Sequence, residues 1–567
     1  MRRFLWLGFV LFLYLICSGC GDTFRPIIIP NPPTFPNPKA AHTVVAINDN
    51  GTVVPGSAMV VDVSGDSDVS VRDVGLAPVH AVQQTANEVL VVNQAVTGLN
   101  VPTTSCLVTF PPIPPNQVFN VCSSITKLNF SGTVIGSTST ISLPIYSGAN
   151  FVAAAPSATT AYVTMPTYPP DPTQPLNILP SVGVVNTQSN TTQTIPVGHN
   201  PVALAVTPNN GKLYVANQGD STISGFDIVT LGLSQRVGSP MSASSPPIWL
   251  VARSDNQRVY VLEQNGTLAW LDITSTAGPD TLTETTISVP GAINMLYDGN
   301  KNRLYIPGGP EMEIVDVSQS QPQPITTILM PSFALLPVGS SAPATAAAAA
   351  ALPDGSRAYV ASFAVLQSQF NISSVTGDGT TATYAYTLAA GHDLTPGVSI
   401  TVTGTGTGFD GTFIVGAILS GTTACPGTCF QAPNATSGNG MAGSGTGSNI
   451  FPQVTVVDAT SNTIKTTASV PGFPDATNPN TPQYYAPVCV PPTPPTPYRA
   501  TFRFTMAAGG DSSRAYLASC DGGMVNIIDT SNDTYIENLP APIGARPPIP
   551  PNPLNPQQNP VFLFAGP

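Results

Sequence analysis

Val202-Ala-Leu-Ala-Val206, Thr207-Pro-Asn-Asn-Gly211, Lys212-Leu-Tyr-Val-Ala-Asn217, Gly219-Asp-Ser221 and Thr222-Ile-Ser-Gly-Phe-Asp-Ile228 follow one another with only Gln218 between them. Short runs rich in β-branched and aromatic residues alternate with Gly, Pro, Asn and Asp, which reads as strand, turn, strand, turn, strand. A fourth strand follows around Ser234 to Val237. The second strand of this unit recurs along the chain. Its copies are Val45-Ala-Ile-Asn48, Leu90-Val-Val-Asn93, Tyr162-Val-Thr-Met165, Tyr214-Val-Ala-Asn217, Tyr260-Val-Leu-Glu263, Tyr305-Ile-Pro-Gly308, Tyr359-Val-Ala-Ser362 and Tyr516-Leu-Ala-Ser519. Undisturbed steps, such as Tyr214 to Tyr260 and Tyr260 to Tyr305, are about 45 residues, the length of a four-stranded propeller blade.

The expected fold is therefore all-β: a β-propeller of eight four-stranded blades, or of seven if Val44 to Asn48 only decorates the exterior. The first copy lacks an inner strand, and Val561-Phe-Leu-Phe564 is an apolar strand without a blade. Pairing the two would close the ring and remove a free sheet edge. Thr345 to Leu352 is Ala-rich and by propensity helical. It stands where an inner strand is due, and the repeat overrides the propensity. Residues 43–366 and 450–567 are then the two parts of the propeller, and 367–449 an inserted small β domain. In that insertion Thr383-Tyr-Ala-Tyr-Thr387, Val398-Ser-Ile-Thr-Val402 and Gly411-Thr-Phe-Ile-Val415 read as strands. Proline-rich loops span 101–116 and 478–497.

The 567 residues include 61 Pro and 49 Gly, and only 8% are charged, with a net charge of −12. Charge-driven disorder, coiled coils and phosphate-binding surfaces are excluded by these figures. Met1-Arg2-Arg3 precedes an apolar run from Phe4 to Ile16, too short to cross a ~30 Å bilayer as a helix, so residues 1–19 read as a signal peptide. Ser18-Gly19-Cys20 resembles a bacterial lipobox, with Cys17 in place of the usual Leu. Cys20 is the expected lipidation site, and 20–42 a lipid anchor and Pro-rich tether. Six further cysteines, Cys106, Cys122, Cys425, Cys429, Cys489 and Cys520, suit disulfides in an exported chain, with neighbours in sequence the favoured pairs. The expected location is the cell envelope: outer membrane, periplasm or cell surface.

Leu213-Tyr-Val-Ala-Asn217 with Pro208-Asn-Asn-Gly211 before it resembles the YVTN family of β-propeller repeats. Val182-Gly-Val-Val-Asn186 with Thr194-Ile-Pro-Val-Gly198, and Val454-Thr-Val-Val-Asp458, fit the same pattern. Val61-Asp-Val-Ser-Gly-Asp-Ser67 is similar to a stretch of bacterial YVTN-type lipoproteins. The resemblance implies a propeller and leaves function open. Some related propellers resemble lactone hydrolases with acidic residues or a divalent metal at the axial mouth, and others belong to archaeal surface layers. Gly391-His-Asp-Leu-Thr-Pro-Gly397 resembles small β modules of bacterial and phage surface proteins.

No catalytic constellation is legible. His42, His80, His199 and His392 fall in different repeats or in the insertion, which argues against a histidine metal centre. Gly406-Thr-Gly408-Phe-Asp-Gly411 and Gly438-Asn-Gly440-Met-Ala-Gly443 open no helix after a strand, so dinucleotide binding is rejected. Asp62, Asp66 and Asp68 form an oxygen set for Ca2+, or else a polar turn with carboxylates capping backbone N–H groups. No other cofactor is expected. Glu263, Asp298 and Glu311 are scattered candidates for an axial acid. Trp249 and Trp270 are expected to pack between blades. The leading expectation is a non-enzymatic, lipid-anchored binding or scaffold protein, with an envelope protein or polysaccharide as partner and no nucleic acid. A lactonase-like hydrolase and a structural surface-layer component are the alternatives.

Overall fold

The computed structural model describes residues 42–566, except 52–53, 96–105, 110–117, 121, 167–178, 230–231, 277, 336–339, 396–397, 424, 472–488, 490–501 and 545–556. The expected signal peptide, Cys20 and the tether lie outside the described residues, as does most of the two proline-rich loops. Strands dominate, and Gln218–Asp220 forms a short 3-10 turn.

The strands form a β-propeller. Six separate sheets have four strands and one has five, and these are seven self-contained blades. In chain order, the first blade holds Thr43–Asp49, Ser57–Asp62 and Ser67–Asp73. The second holds Leu76–Thr85, Glu88–Ala95, Cys122–Ser131 and Val134–Ile145, and the third begins at Phe151–Ala154 and Thr160–Met165. The fourth begins at Pro201–Val206, the fifth at Pro247–Ala252 and the sixth at Leu296–Asp298. The last blade comprises Phe504–Ala508, Arg514–Ser519, Met524–Asp529 and Thr534–Pro540. Between the sixth and the last stands a curled ten-stranded sheet, one end of which repeats the blade order through Thr345–Ala351, Arg357–Asp378, Gly443–Asp458 and Thr463–Ser469. The count is thus seven self-contained blades, the expected alternative and not the favoured eight, with the large curled sheet packed between the sixth blade and the last.

The ring closes as the orphan strand suggests. Asn559–Ala565 pairs antiparallel with Thr43–Asp49, with Val45 opposite Phe564 and Ile47 opposite Phe562. Thr345–Ala351 is a strand despite its alanines, pairing with Arg357–Asp378. Small side chains suit an inner strand, where neighbouring sheets converge.

The inserted region grows out of its blade. Arg357–Asp378 and Gly443–Asp458 stay paired from Arg357 opposite Asp458 to Ile372 opposite Gly443. The expected limits, 367 and 449, therefore fall inside two continuous strands. Beyond them the sheet curls around its own core of Phe370, Tyr384, Tyr386, Phe409, Phe413 and Phe430.

A separate hydrophobic cluster lies between every two consecutive sheets, such as Val79, Leu90 and Ile125 against Val152 and Val163, or Tyr260 and Leu262 against Leu304 and Ile306. Second strands are buried on both faces, whereas fourth strands such as Thr191–Pro196 alternate toward solvent. This sandwiching accounts for the scarcity of charge, because an unpaired buried charge is costly.

Where charge does occur it joins blades. Lys212, Arg303, Arg357 and Arg514 each open a second strand two residues before the buried tyrosine. Each reaches into the following sheet. Lys212 Nζ donates to the Ile273 and Ser275 carbonyls at 2.6 and 2.7 Å. Arg303 Nη1 donates to Ala459 O at 2.6 Å, and Arg357 Nη1 to Asp533 Oδ1 at 2.8 Å. Arg514 grips both oxygens of Asp66, at 2.7 to 2.9 Å. In the fifth blade Arg253 takes the role, donating to Val317 O at 2.7 Å. The tyrosines join in: Tyr214 Oη donates to Asp280 at 2.7 Å and Tyr359 Oη to Asp533 at 2.6 Å.

Arg514 is 2% exposed and Asp66 13%. Removing one partner of a buried ion pair leaves the other charge uncompensated, at a cost of about 3–5 kcal/mol. Arg514→Met and Asp66→Asn should each lower the denaturant midpoint strongly. Arg72→Ala, at an exposed side chain, should leave it nearly unchanged. Equal midpoints for all three would refute the clamp.

Candidate ligand site at the axial mouth

Inner strands start on the face where second strands end. Five rings from five sheets gather there, near the axis. His80 stacks on Phe151 at 3.9 Å between centroids, and Phe151 meets Trp249 edge-on at 5.5 Å. Trp249 meets Phe502 at 5.7 Å, Phe502 lies 6.5 Å from Phe562, and Phe562 returns to His80 at 4.3 Å. The circuit is closed and forms an aromatic floor. His80 is buried, and the other four rings are partly exposed. Val202 of the fourth blade packs in the same cluster as Phe151.

The chain reaches this arrangement by simple means. Phe151 is the first residue of its inner strand, Trp249 the third, and Phe502 lies two residues before one. Other inner strands begin with Pro201, Leu296 or Thr345. Sequence reading placed both tryptophans between blades. Trp270 does sit there, 8% exposed, with the Arg258 guanidinium 4.5 Å from its ring centre. Trp249 also turns toward the axis. His80 was missed as a member because a lone histidine has no repeat partner. The signal that was available is an aromatic residue at the head of an inner strand.

Burial drives the His80 pKa down to about 3. The ring is neutral near pH 7, and its Nδ1 accepts the Val152 N–H at 3.4 Å.

At the rim, Arg503 follows Phe502 directly. Its Nε lies 2.8 Å from Asp521 Oδ2 and its Cζ sits 5.2 Å over the Phe363 ring. Burial raises the Asp521 pKa against the lowering effect of Arg503. Asp521 Oδ1 also accepts the Cys489 N–H at 2.7 Å. The Cys489–Cys520 disulfide is thus tied to the rim, and Asn559 Nδ2 reaches Cys520 O at 2.7 Å. The other two pairs are Cys106–Cys122 and Cys425–Cys429, so all six cysteines follow the expected neighbour pairing.

The acidic candidates are not brought together. Glu263 is fully buried at the end of a second strand. Its Oε2 accepts the Ser244 hydroxyl at 3.0 Å, its Oε1 has no partner, and burial raises its pKa. Asp298 lies at the opposite end of its blade, where Oδ1 caps Asn300 N at 2.9 Å, and burial raises its pKa as well. Glu311 begins a third strand of the sixth blade. Asp62 caps its own turn through Ser64 N at 2.9 Å, and Asp66 is held by Arg514. Asp68 is exposed on the outermost strand of its blade. Among the described residues no group of three or more His, Cys, Asp or Glu is disposed to hold a metal ion. His199 pairs with Asp220 at 2.6 Å on the surface, and His392 lies against Phe451.

No protein-family model matches the chain, and no curated protein matches it. Among solved structures, AztD of Citrobacter koseri is 7% identical over 93% of this chain and 98% of its own, with a TM-score of 0.45. A protein of unknown function from Desulfotomaculum acetoxidans is 12% identical over 56% and 89%, TM-score 0.41. The periplasmic gluconolactonase PpgL of Pseudomonas aeruginosa is 10% identical over 57% and 91%, TM-score 0.38. At these values nothing about activity follows from the likeness.

His80 also makes stability depend on pH. Its folded pKa is depressed from 6.5 to about 3, so the unfolded chain binds the proton more readily between those values. The stability it contributes is full above pH 6.5 and is lost as pH falls toward 3. His80→Phe should therefore gain on the wild type as the buffer is acidified from pH 7 to 4 in denaturation curves. Parallel pH profiles for the two proteins would show that His80 is not buried as neutral imidazole.

Proposed function

We propose that the chain is an exported, lipid-anchored propeller of the YVTN-type repeat class that binds an envelope polysaccharide or protein at its axial mouth. The observation that carries this reading is the closed circuit of His80, Phe151, Trp249, Phe502 and Phe562 at the point where the sheets converge. Partly exposed ring faces offer apolar contact and stacking to a ligand lying across the axis. Three disulfides and the signal-like N-terminus support an oxidising, extracytoplasmic location. Calorimetric titration with envelope oligosaccharides should show saturable binding that Trp249→Ala and Phe502→Ala each weaken by roughly tenfold, the size of one lost stacking contact. Binding that ignores both substitutions would refute the site.

A second reading has one specific observation behind it. Glu263 is a buried carboxyl with a raised pKa and an unpartnered oxygen, the condition in which a carboxyl can shuttle a proton. A lactonase-like hydrolase would then open small lactones with a rate that Glu263→Gln removes. The binding reading expects no turnover above the spontaneous rate in either protein.

A further inference from the structure

We propose that the axial mouth selects a carboxylate carried on a flat-faced six-membered ring, as in a hexuronate of an acidic polysaccharide, through Arg503. The proposal rests on the binding reading above and names the ligand class of the same site.

Three observations converge on it. The first is the aromatic floor, whose partly exposed rings suit the CH face of a pyranose better than an extended peptide. The second is that the partners of Arg503 lie at the same end as the floor: Phe363 stands opposite Thr345, the first residue of an inner strand, and Asp521 follows the end of a second strand. The third is how Arg503 is held. Asp521 takes its Nε side at 2.8 Å, and the Phe363 ring lies under its plane at 5.2 Å. A guanidinium fixed at one edge and one face has its two terminal amino groups left to offer. Among the described residues nothing takes them up. The side chain is 25% exposed, so those groups can reach solvent. A planar fork of two parallel N–H donors matches a carboxylate bidentately, and its orientation is already fixed before binding.

The overall charge of −12 does not oppose this. Beyond a Debye length of about 8 Å at physiological salt the distant carboxylates are screened, and Arg503 itself is paired with Asp521.

The test uses the purified full chain and calorimetric titration with three probes: trigalacturonate, the neutral trigalactose, and benzoate. Wild type should bind trigalacturonate at least ~10-fold tighter than trigalactose, the ratio expected of one charge-assisted bidentate contact. Arg503→Gln should erase that ratio while leaving the weak neutral binding in place, and Arg503→Lys should retain part of it. Arg258→Gln, which loses an ion pair and a ring contact away from the mouth, should leave the ratio unchanged and controls for general loosening. Thermal melts of each variant confirm that the ring is folded. Equal affinity for both trisaccharides, or a ratio that survives Arg503→Gln, would overturn the proposal while the binding reading stands. Binding of benzoate without either saccharide would assign the mouth to a free aromatic acid and overturn the saccharide. Failure of all three probes would overturn this proposal together with the polysaccharide arm of the binding reading.

Discussion

No four-stranded blade of this molecule can bury either of its faces alone, so every blade depends on its neighbours in the ring. Closure rests on one antiparallel pairing, Asn559–Ala565 against Thr43–Asp49, between the two ends of the chain. Taken as a loop of the whole chain this contact would be entropically expensive. The stacked blades remove most of that cost, because once they are in place the strand needs only to bridge roughly 20 residues from the end of the last blade. Val561 and Leu563 are then buried. Asn559 also hydrogen-bonds the Cys520 carbonyl, so closure is anchored to the last blade and not to the first alone.

The basic clamps follow from the same constraint. Hydrophobic interfaces between twisted sheets are non-directional and would tolerate sliding. A guanidinium that must find a carbonyl or carboxylate at one height in the next sheet admits one register. Arg514 with Asp66 does this across the closing interface itself, and Arg357 with Asp533 does it where the large sheet meets the last blade. With so few Lys and Arg in the chain, their concentration at the heads of second strands shows that charge here orders the ring more than it dresses the surface.

How much was legible in the sequence follows from what repeats. The second strand recurs, so the blades, the ring closure and the strand character of the alanine run Thr345–Ala351 could be read against local propensity. The aspartate ending a third strand was legible too. Its turn-capping role at Asp62 recurs at Asp272, Asp316, Asp458 and Asp529. What does not repeat was not legible. Gly308 stands where other copies carry Asn, Met, Glu or Ser, because a Cβ there would come within 2.5 Å of Ala292 N, a tertiary fact without local trace. The insertion's limits were hidden for a related reason: β-branched strand text continues unbroken from blade into insertion, so composition marks no boundary.

The axial floor is the sharpest case. Its five members are separated by up to several hundred residues and share no motif, and only the radial convergence of inner strands makes them neighbours. That convergence normally favours small side chains, as the alanines of Thr345–Ala351 show on one side of the ring. Large rings on other sides can be accommodated only by lying against one another across the axis. The floor and the alanines are therefore complementary halves of one packing solution. The same geometry leaves aromatic rings at the mouth, on the face where Asp521 of the last blade and Phe363 of the large sheet hold the Arg503 guanidinium. Glu263 ends a second strand on the same face, buried, with one carboxyl oxygen unpartnered among the described residues.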